Sequence, residues 1–206
     1  MYKPIANLIS KVVLFIGTVH WKAKKVLTTE EQVKIRNMLI DNYFIILTRR
    51  RNHLSTFFIN LADFLITRKW GFWSHALMNL EDTVNTVTDF RLMEATAVGV
   101  HYSPFETVFD VQNTVLMKPK SMSIDKWTTV LDRARVDLGK PYDTLFNIAD
   151  AKALSCVELV RNILQGEPDY ATDFANFEAM IVKYKELSPQ MIYDCGDFDV
   201  VYSAGV

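Results

Sequence analysis

The sequence predicts an α+β domain: a mainly antiparallel sheet with packed helices, preceded by a helical N-terminal extension. Three observations lead to this prediction. Short apolar segments rich in β-branched and aromatic residues recur along the chain, amphipathic segments with helical spacing separate them, and two of the apolar segments are close enough to form a hairpin. The 206 residues, half of them hydrophobic, suit one domain of ordinary size with a sizeable core.

The first half of the chain alternates between helical and extended patterns. A threonine followed by acidic residues opens the first helix, where it can cap the free backbone N–H groups. Aromatic and β-branched residues mark the strands. The predicted elements are a helix from Thr28 or Thr29 with Ile35, Met38 and Leu39 inward, a strand over 42–50, a helix over 52–70 and a strand over 72–82.

The second half continues the alternation. RLMEATAVGVHYSPF (91–105) predicts one strand, paired as a hairpin with 72–82 through the polar TVNTVTD turn. The helix that begins at Cys156 has a helical spacing of apolar residues and is followed by Gly166 and Pro168. The other predicted elements are a strand over 113–120, a helix over 124–138 ended by Gly139 and Pro141, and a strand over 197–204.

The N-terminal segment is apolar over residues 8–19, but Lys11 interrupts the run. It is shorter than the ~20 residues of a spanning helix, and no small-residue cleavage site follows clearly. A packed or partner-binding helix, a membrane-surface helix and a signal peptide remain alternatives. We predict a helical extension over 1–37 and a domain over 38–206, located in the cytoplasm or in an assembly, with residues 1–35 contacting a protein assembly or a membrane surface.

The charge balance and the cysteine content exclude some classes of protein. Lys+Arg and Asp+Glu number 23 and 24, so there is no general case for nucleic acid as a partner. Cys156 and Cys195 are far apart in sequence, and two cysteines do not make a disulfide framework. A free, reactive thiol is therefore chemically reasonable.

A cysteine and a histidine stand where a thiol hydrolase would need them. Cys156 opens a helix, where free N–H groups and the helix dipole favour a thiolate, and His75 lies in a predicted strand. A buried packing cysteine and a histidine satisfied by one hydrogen bond are the structural alternatives. His20 and His53 compete less well as the base, and His101 is the reserve.

The order of these segments resembles the circularly permuted papain-like hydrolases of the NlpC superfamily, in their YiiX-like branch, where the histidine strand precedes the cysteine helix. Five stretches within residues 38–205 carry the resemblance: LTR (47–49), WSHALM (73–78), MEATAVGV (93–100), LGKPYD (138–143) and SCVELV (155–160). The chain departs from the usual pattern at Val157, where a serine is expected, and at Ala76 and Leu77, which replace valine and glycine.

The resemblance implies a permuted papain-like fold and a catalytic site. Cys156 would be the nucleophile, His75 the general base and then acid, and Glu94 the group that orients His75. Tyr142, in the Gly-x-Pro-Tyr element, would donate to the developing oxyanion beside the backbone N–H of Cys156. An exposed strand-edge carboxylate and a core tyrosine are the alternatives for Glu94 and Tyr142. Glu158 is assigned no catalytic role, and no metal or cofactor is expected.

The expected function is a cysteine hydrolase, a peptidase, amidase or acyltransferase, acting on an amide, ester or thioester carbonyl. Its substrate would be a peptide, a lipid or another acyl compound, and cell-wall peptides are one possibility among these. An alternative of another class is an inactive structural protein with the same fold, such as a component of a viral or phage particle docked through residues 1–35. A membrane-surface lipid enzyme anchored by the N-terminal segment is a third possibility.

Overall fold

The computed structural model describes residues 27–40, 42–49, 54–80, 91–143, 152–185 and 187–205. The strands are β1 (Phe44–Arg49), β2 (His75–Asn79), β3 (Arg91–Thr96), β4 (Gly99–Pro104), β5 (Asn113–Pro119) and β6 (Phe198–Ala204). The α-helices are α1 (Thr29–Leu39), α2 (Leu54–Thr67), α3 (Ile124–Asp137), α4 (Cys156–Leu164), α5 (Tyr170–Asp173), α6 (Ala175–Tyr184) and α7 (Pro189–Asp194), and a 3-10 turn spans Phe105–Val108.

The strands of the described residues form one sheet in the order β4-β3-β2-β1-β5-β6, and every neighbouring pair is antiparallel. The predicted α+β class, with a mainly antiparallel sheet and packed helices, is thereby confirmed. The central strand β1 is buried from Phe44 to Thr48, as expected for a strand covered on both faces.

Each face of the sheet has its own apolar cluster. On one face, Ile45 and Leu47 of β1 pack with apolar residues of α3, α4 and α6. On the other face, Phe44 and Ile46 pack with Ile35 and Leu39 of α1. The period of two along β1 therefore assigns its side chains alternately to the two clusters.

Helix α1 begins as its sequence predicts. Thr28 caps the helix by accepting from the N–H of Glu31 at 3.2 Å, while the Glu31 carboxylate accepts from the N–H of Thr28 at 2.7 Å. The same carboxylate accepts from the N–H of Gly205 at 3.0 Å and so ties α1 to the end of β6. Residues 27–37 thus pack on the sheet, and the proposed domain boundary after residue 37 stays a prediction.

The prediction of one strand over 91–105 was wrong. Residues 91–104 form the hairpin of β3 and β4, which turns at Ala97 and Val98. Gly99 closes the turn with φ +100°, a conformation that favours glycine because it lacks a Cβ atom. The predicted pairing of β2 with β3 is confirmed by the register Leu77↔Glu94.

The remaining differences from the sequence prediction concern the C-terminal helices and the segments outside the described residues. Helices α5, α6 and α7 were not predicted, because residues 165–196 show no single clear period. The turn proposed over 83–89 and the segment 1–26 lie outside the described residues. Among the residues described, no helix is long and apolar enough to span a membrane.

Candidate active site

Helix α4 fixes the position of Cys156, its first residue. Ser155 accepts a hydrogen bond from the N–H of Glu158 at 3.4 Å, and the Glu158 carboxylate accepts from the N–H of Ser155 at 2.7 Å. This reciprocal cap holds the first turn, and Leu159 and Ile163 anchor the helix in the core. Cys156 therefore lies at the positive end of a well-anchored helix, with 5% of its surface exposed.

The backbone before His75 is held from two sides. The N–H of Ser74 donates to the carbonyl of Thr48 at 3.0 Å, and Thr48 pairs with His75 across β1 and β2. From α7, the Gln190 side-chain oxygen accepts from the N–H of Phe72 at 2.8 Å. These bonds place His75 at the start of β2, where β1 and α7 both restrain it.

Glu94 reaches His75 because of the strand register. Glu94 lies directly opposite Leu77, two residues after His75, so His75 and Glu94 are diagonal neighbours on one face. His75 Nε2 and Glu94 Oε2 are 2.6 Å apart, and the Glu94 side chain is 6% exposed while that of His75 is 26% exposed. The carboxylate is thus buried and the imidazole remains accessible.

The second carboxylate oxygen of Glu94 faces β4. The hydroxyl of Ser103 donates to Glu94 Oε1, and Ser103 Oγ lies 3.1 Å from Nε2 of His101. His101 Nε2 is 3.6 Å from Glu94 Oε1, and its Nδ1 is 2.9 Å from the carbonyl oxygen of Gly99. Glu94 therefore stands between the two histidines, with Ser103 bridging to the second.

The Cys156 side chain acts on the pKa of His75 as well. Burial acts to lower the pKa of His75, but the hydrogen bonds and the negative charges of Cys156 and Glu94 outweigh it and raise this pKa to about 10. Because Nε2 faces Glu94, Nδ1 is the ring nitrogen left for the sulfur. The arrangement suits an imidazolium paired with the Glu94 carboxylate.

The pKa of Glu94 is shifted in the opposite direction, downward. Burial acts to raise its pKa, but the hydrogen bond and charge of His75, with support from Ser103 and His101, lower it to about 2. The carboxylate is therefore ionised throughout the neutral range. By contrast, burial raises the pKa of the Cys195 thiol to about 12, and its sulfur donates to the carbonyl of Ile192 at 3.4 Å.

Tyr142 follows residues 139–141, which are hydrogen-bonded both to β4 and to the residues just before α4. The N–H of Gly139 donates to the carbonyl of Val100 at 2.9 Å, and the N–H of Val100 donates to the carbonyl of Lys140 at 2.8 Å. The N–H of Leu154 donates to the carbonyl of Pro141 at 3.0 Å. Hydrogen bonds thus connect residues 139–141 to Val100 of the β3–β4 hairpin and to Leu154, which lies two residues before Cys156.

Tyr142 is a neutral donor in this position. Burial raises its pKa, and the negative charges of Cys156, Glu158 and Asp143 raise it further. Its hydroxyl therefore keeps its proton and can donate a hydrogen bond.

The structure brings the candidate residues Cys156, His75 and Glu94 into one connected group and places Tyr142 close to Cys156. The reserve histidine, His101, lies beside Glu94 rather than beside the sulfur. His20 and His53 lie outside the described residues.

Sequence reasoning missed Ser103 and Gln190. Ser103 stands two residues after His101 in β4, so alternation along the strand could have placed both on the face of Glu94. No local pattern marks Gln190, which reaches Phe72 across a sequence separation of 118 residues.

The fold is similar to that of the crystal structure of the metalloprotein yiiX from Escherichia coli O157:H7, with a TM-score of 0.55 and 19% sequence identity over 88% of this chain and 98% of that one. The chain thus has a YiiX-like fold. No family model and no curated protein matches the sequence.

The term metalloprotein describes that structure. In the part of this chain that the structure describes, no group of three or more His, Cys, Asp or Glu side chains is arranged to hold a metal ion. The two oxygens of Glu94 already accept hydrogen bonds from His75 and Ser103. These residues do not fit a metal site.

Proposed function

We propose that this protein is a cysteine hydrolase or acyltransferase of the permuted papain-like type, acting on an amide, ester or thioester carbonyl. The observation that carries the proposal is the His75 ring, which lies 2.6 Å from Glu94 and whose pKa is raised by both Glu94 and Cys156. A nucleophile, a base and a group that orients the base make up the minimum for covalent acyl transfer.

In the proposed reaction, the Cys156 sulfur attacks the carbonyl carbon and the carbonyl oxygen becomes an oxyanion. The backbone N–H of Cys156, in the first turn of α4, and the Tyr142 hydroxyl stabilise that charge. His75 gives its proton to the leaving amine, alcohol or thiol as the carbon–heteroatom bond breaks, which leaves a thioester on Cys156. His75 then takes a proton from water or another acceptor, whose oxygen or nitrogen attacks the thioester and regenerates the sulfur.

This chemistry requires that the substrate carry an acyl group, and it does not select among the compounds that have one. Peptides, including cell-wall peptides, and acyl lipids both carry suitable carbonyls. Docking of residues 1–35 on a protein assembly or a membrane surface remains part of the proposal. Neither the site geometry nor the net charge of −1 calls for a nucleic acid.

A second candidate function is a catalytically inactive protein that retains the fold. Its supporting observation is the 5% exposure of Cys156, which leaves little of the residue accessible to a substrate. An inactive protein would fit the alternative of a structural component of a larger assembly.

Alkylation of Cys156 by iodoacetamide across pH separates these two functions. Cys195 is replaced by serine throughout, and His75→Ala is compared with the parent. We expect fast labelling well below the ordinary thiol pKa of about 8.5, lost in His75→Ala, because the imidazolium stabilises the thiolate. A thioester on Cys156 after incubation with p-nitrophenyl acetate, seen by intact mass, would show acyl transfer directly.

A Cys156→Ala variant is the control for labelling at other sites. Slow labelling that rises only near the ordinary thiol pKa and ignores His75 would contradict the enzyme proposal and favour the inactive one.

A further inference from the structure

We propose that Ser103 is a positioning residue that holds the Glu94 carboxylate toward His75, and that protonation of His101 completes this hold. The inference rests on the proposed function, since it concerns the same site. It assigns to His101 a role different from that of a reserve base.

Ser103 is the side chain that contacts both Glu94 and His101, beside the direct 3.6 Å approach of His101 Nε2 to Glu94 Oε1. Its hydroxyl is buried, 6% exposed, and lies between Glu94 Oε1 and His101 Nε2. Leu92 lies directly opposite Ser103, and Glu94 lies directly opposite His101. Two adjacent strands thus present all three polar side chains on one face, at fixed register.

The number of hydrogens that His101 and Ser103 carry determines which groups in this network donate. The Gly99 carbonyl accepts only, so His101 Nδ1 carries a hydrogen at 2.9 Å from it. The Glu94 carboxylate also accepts only, so the single hydroxyl hydrogen of Ser103 goes to Oε1. The 3.1 Å contact between Ser103 Oγ and His101 Nε2 is then a hydrogen bond only if Nε2 carries a hydrogen as well.

His101 must therefore be doubly protonated for the whole network to be satisfied. When His101 is neutral, with its hydrogen on Nδ1, the Ser103 hydroxyl has two acceptors and one hydrogen. If Ser103 turns toward Nε2, Glu94 Oε1 loses its donor and the carboxylate is held on one side only. A loosened carboxylate orients His75 less well.

Other charges around His101 fit this arrangement. On β3, Glu94 faces it at 3.6 Å, and beyond Glu94 stand His75 on β2 and Cys156 on α4. In the segment that pairs with β4, the Lys140 ammonium is bound to Asp137 at 2.7 Å. Glu94 is thus the charged group through which His101 would act on His75.

The test uses NMR of the histidine rings in the full chain carrying Cys195→Ser. Long-range ¹H–¹⁵N correlations report the protonation of each ring nitrogen as pH is varied. We expect the His75 ring signals to shift at the pH where His101 titrates. This linked shift should vanish in His101→Gln and become smaller in Ser103→Ala, where only the direct 3.6 Å pair of His101 with Glu94 remains. Ser203→Ala, at an exposed serine on β6, is the matched control and should retain it.

The rate of Cys156 alkylation is the second readout. At a pH where His101 is protonated, Ser103→Ala should lower the rate about 10-fold, as loss of an orienting partner does. His101→Gln should lower the rate less in that background than in the parent, because part of its effect passes through Ser103. Ser103→Thr, which keeps the hydroxyl, should restore the rate and shows that Ser103→Ala has not merely impaired folding.

Two outcomes would overturn the inference. His75 signals that do not change when His101 titrates would exclude any linkage, and a linked shift of undiminished size in Ser103→Ala would exclude a contribution of Ser103 to it. Both are distinct from failure of the proposed function, which shows as Cys156 labelling insensitive to His75→Ala while the linkage between the two histidines is intact.

Discussion

Replacing Glu94 by glutamine tests the charge of the orienting group while retaining its shape. The glutamine oxygen can still accept from His75 Nε2, so the change removes a charge rather than a hydrogen bond. A pKa lowered from 4.5 to about 2 corresponds to about 3 kcal/mol in favour of the ionised carboxylate. Because the side chain is 6% exposed, solvent screening reduces this little.

The hydrogen bond and charge of His75 are the largest of the contributions that favour the ionised carboxylate, ahead of those of Ser103 and His101. Loss of the Glu94 charge favours the neutral thiol–imidazole pair over the thiolate–imidazolium pair. We therefore expect Glu94→Gln to slow iodoacetamide labelling of Cys156 at pH 7, by no more than the roughly 100-fold to which about 3 kcal/mol corresponds.

The assay follows modification of Cys156 by intact mass in the Cys195→Ser background. Glu106→Gln, the same chemical change at an exposed carboxylate on the 3-10 turn, is the matched control and should label at the parent rate. Equal labelling rates for Glu94→Gln and the parent, at every pH, would refute the reasoning.

Two further predictions concern stability. Gly99→Ala places a Cβ atom 2.6 Å from the Lys140 carbonyl oxygen at φ +100°, whereas Gly139→Ala, at φ +81°, meets nothing within 4 Å. Urea unfolding should therefore find Gly99→Ala at least about 2 kcal/mol less stable than Gly139→Ala, and equal losses would contradict the clash. The His75–Glu94 pair should stabilise the fold most between about pH 4.5 and 6.5. Below this range, stability falls as Glu94 protonates toward its folded pKa of about 2, and above it stability falls as pH rises toward the His75 pKa of about 10. Urea midpoints across pH should lose this dependence in the His75→Ala, Glu94→Ala double variant, and an unchanged profile would contradict it.

Local chemistry was enough to predict most elements before residue 165. The cap at Thr28, the β-branched run of β1 and the glycine that follows α3 act within a few residues, so their effects are visible in the chain. The same holds for Cys156 at the start of α4. The break between β3 and β4 was missed because Ala97 and Val98 are not turn-forming residues, and Gly99 alone marks the change of direction.

The candidate site depends on contacts between distant residues. Sequence patterns named Cys156, His75, Glu94 and Tyr142 as candidates, partly through the resemblance to a family, but no pattern states which side chains meet. That follows from the pairing of β2 with β3 and of β3 with β4, which sets Glu94 between His75 and His101.

The chain alone thus indicates which segments become helices and strands, because propensity, capping and periodicity are properties of neighbouring residues. The strand order, the register and the packing of α4 beside the start of β2 arise from burial of two apolar faces by the whole chain. A shift of one residue in the β3 register would turn Glu94 to the opposite face, away from His75. The hydrogen bonds among His75, Glu94, Ser103 and His101 are therefore a consequence of the tertiary structure.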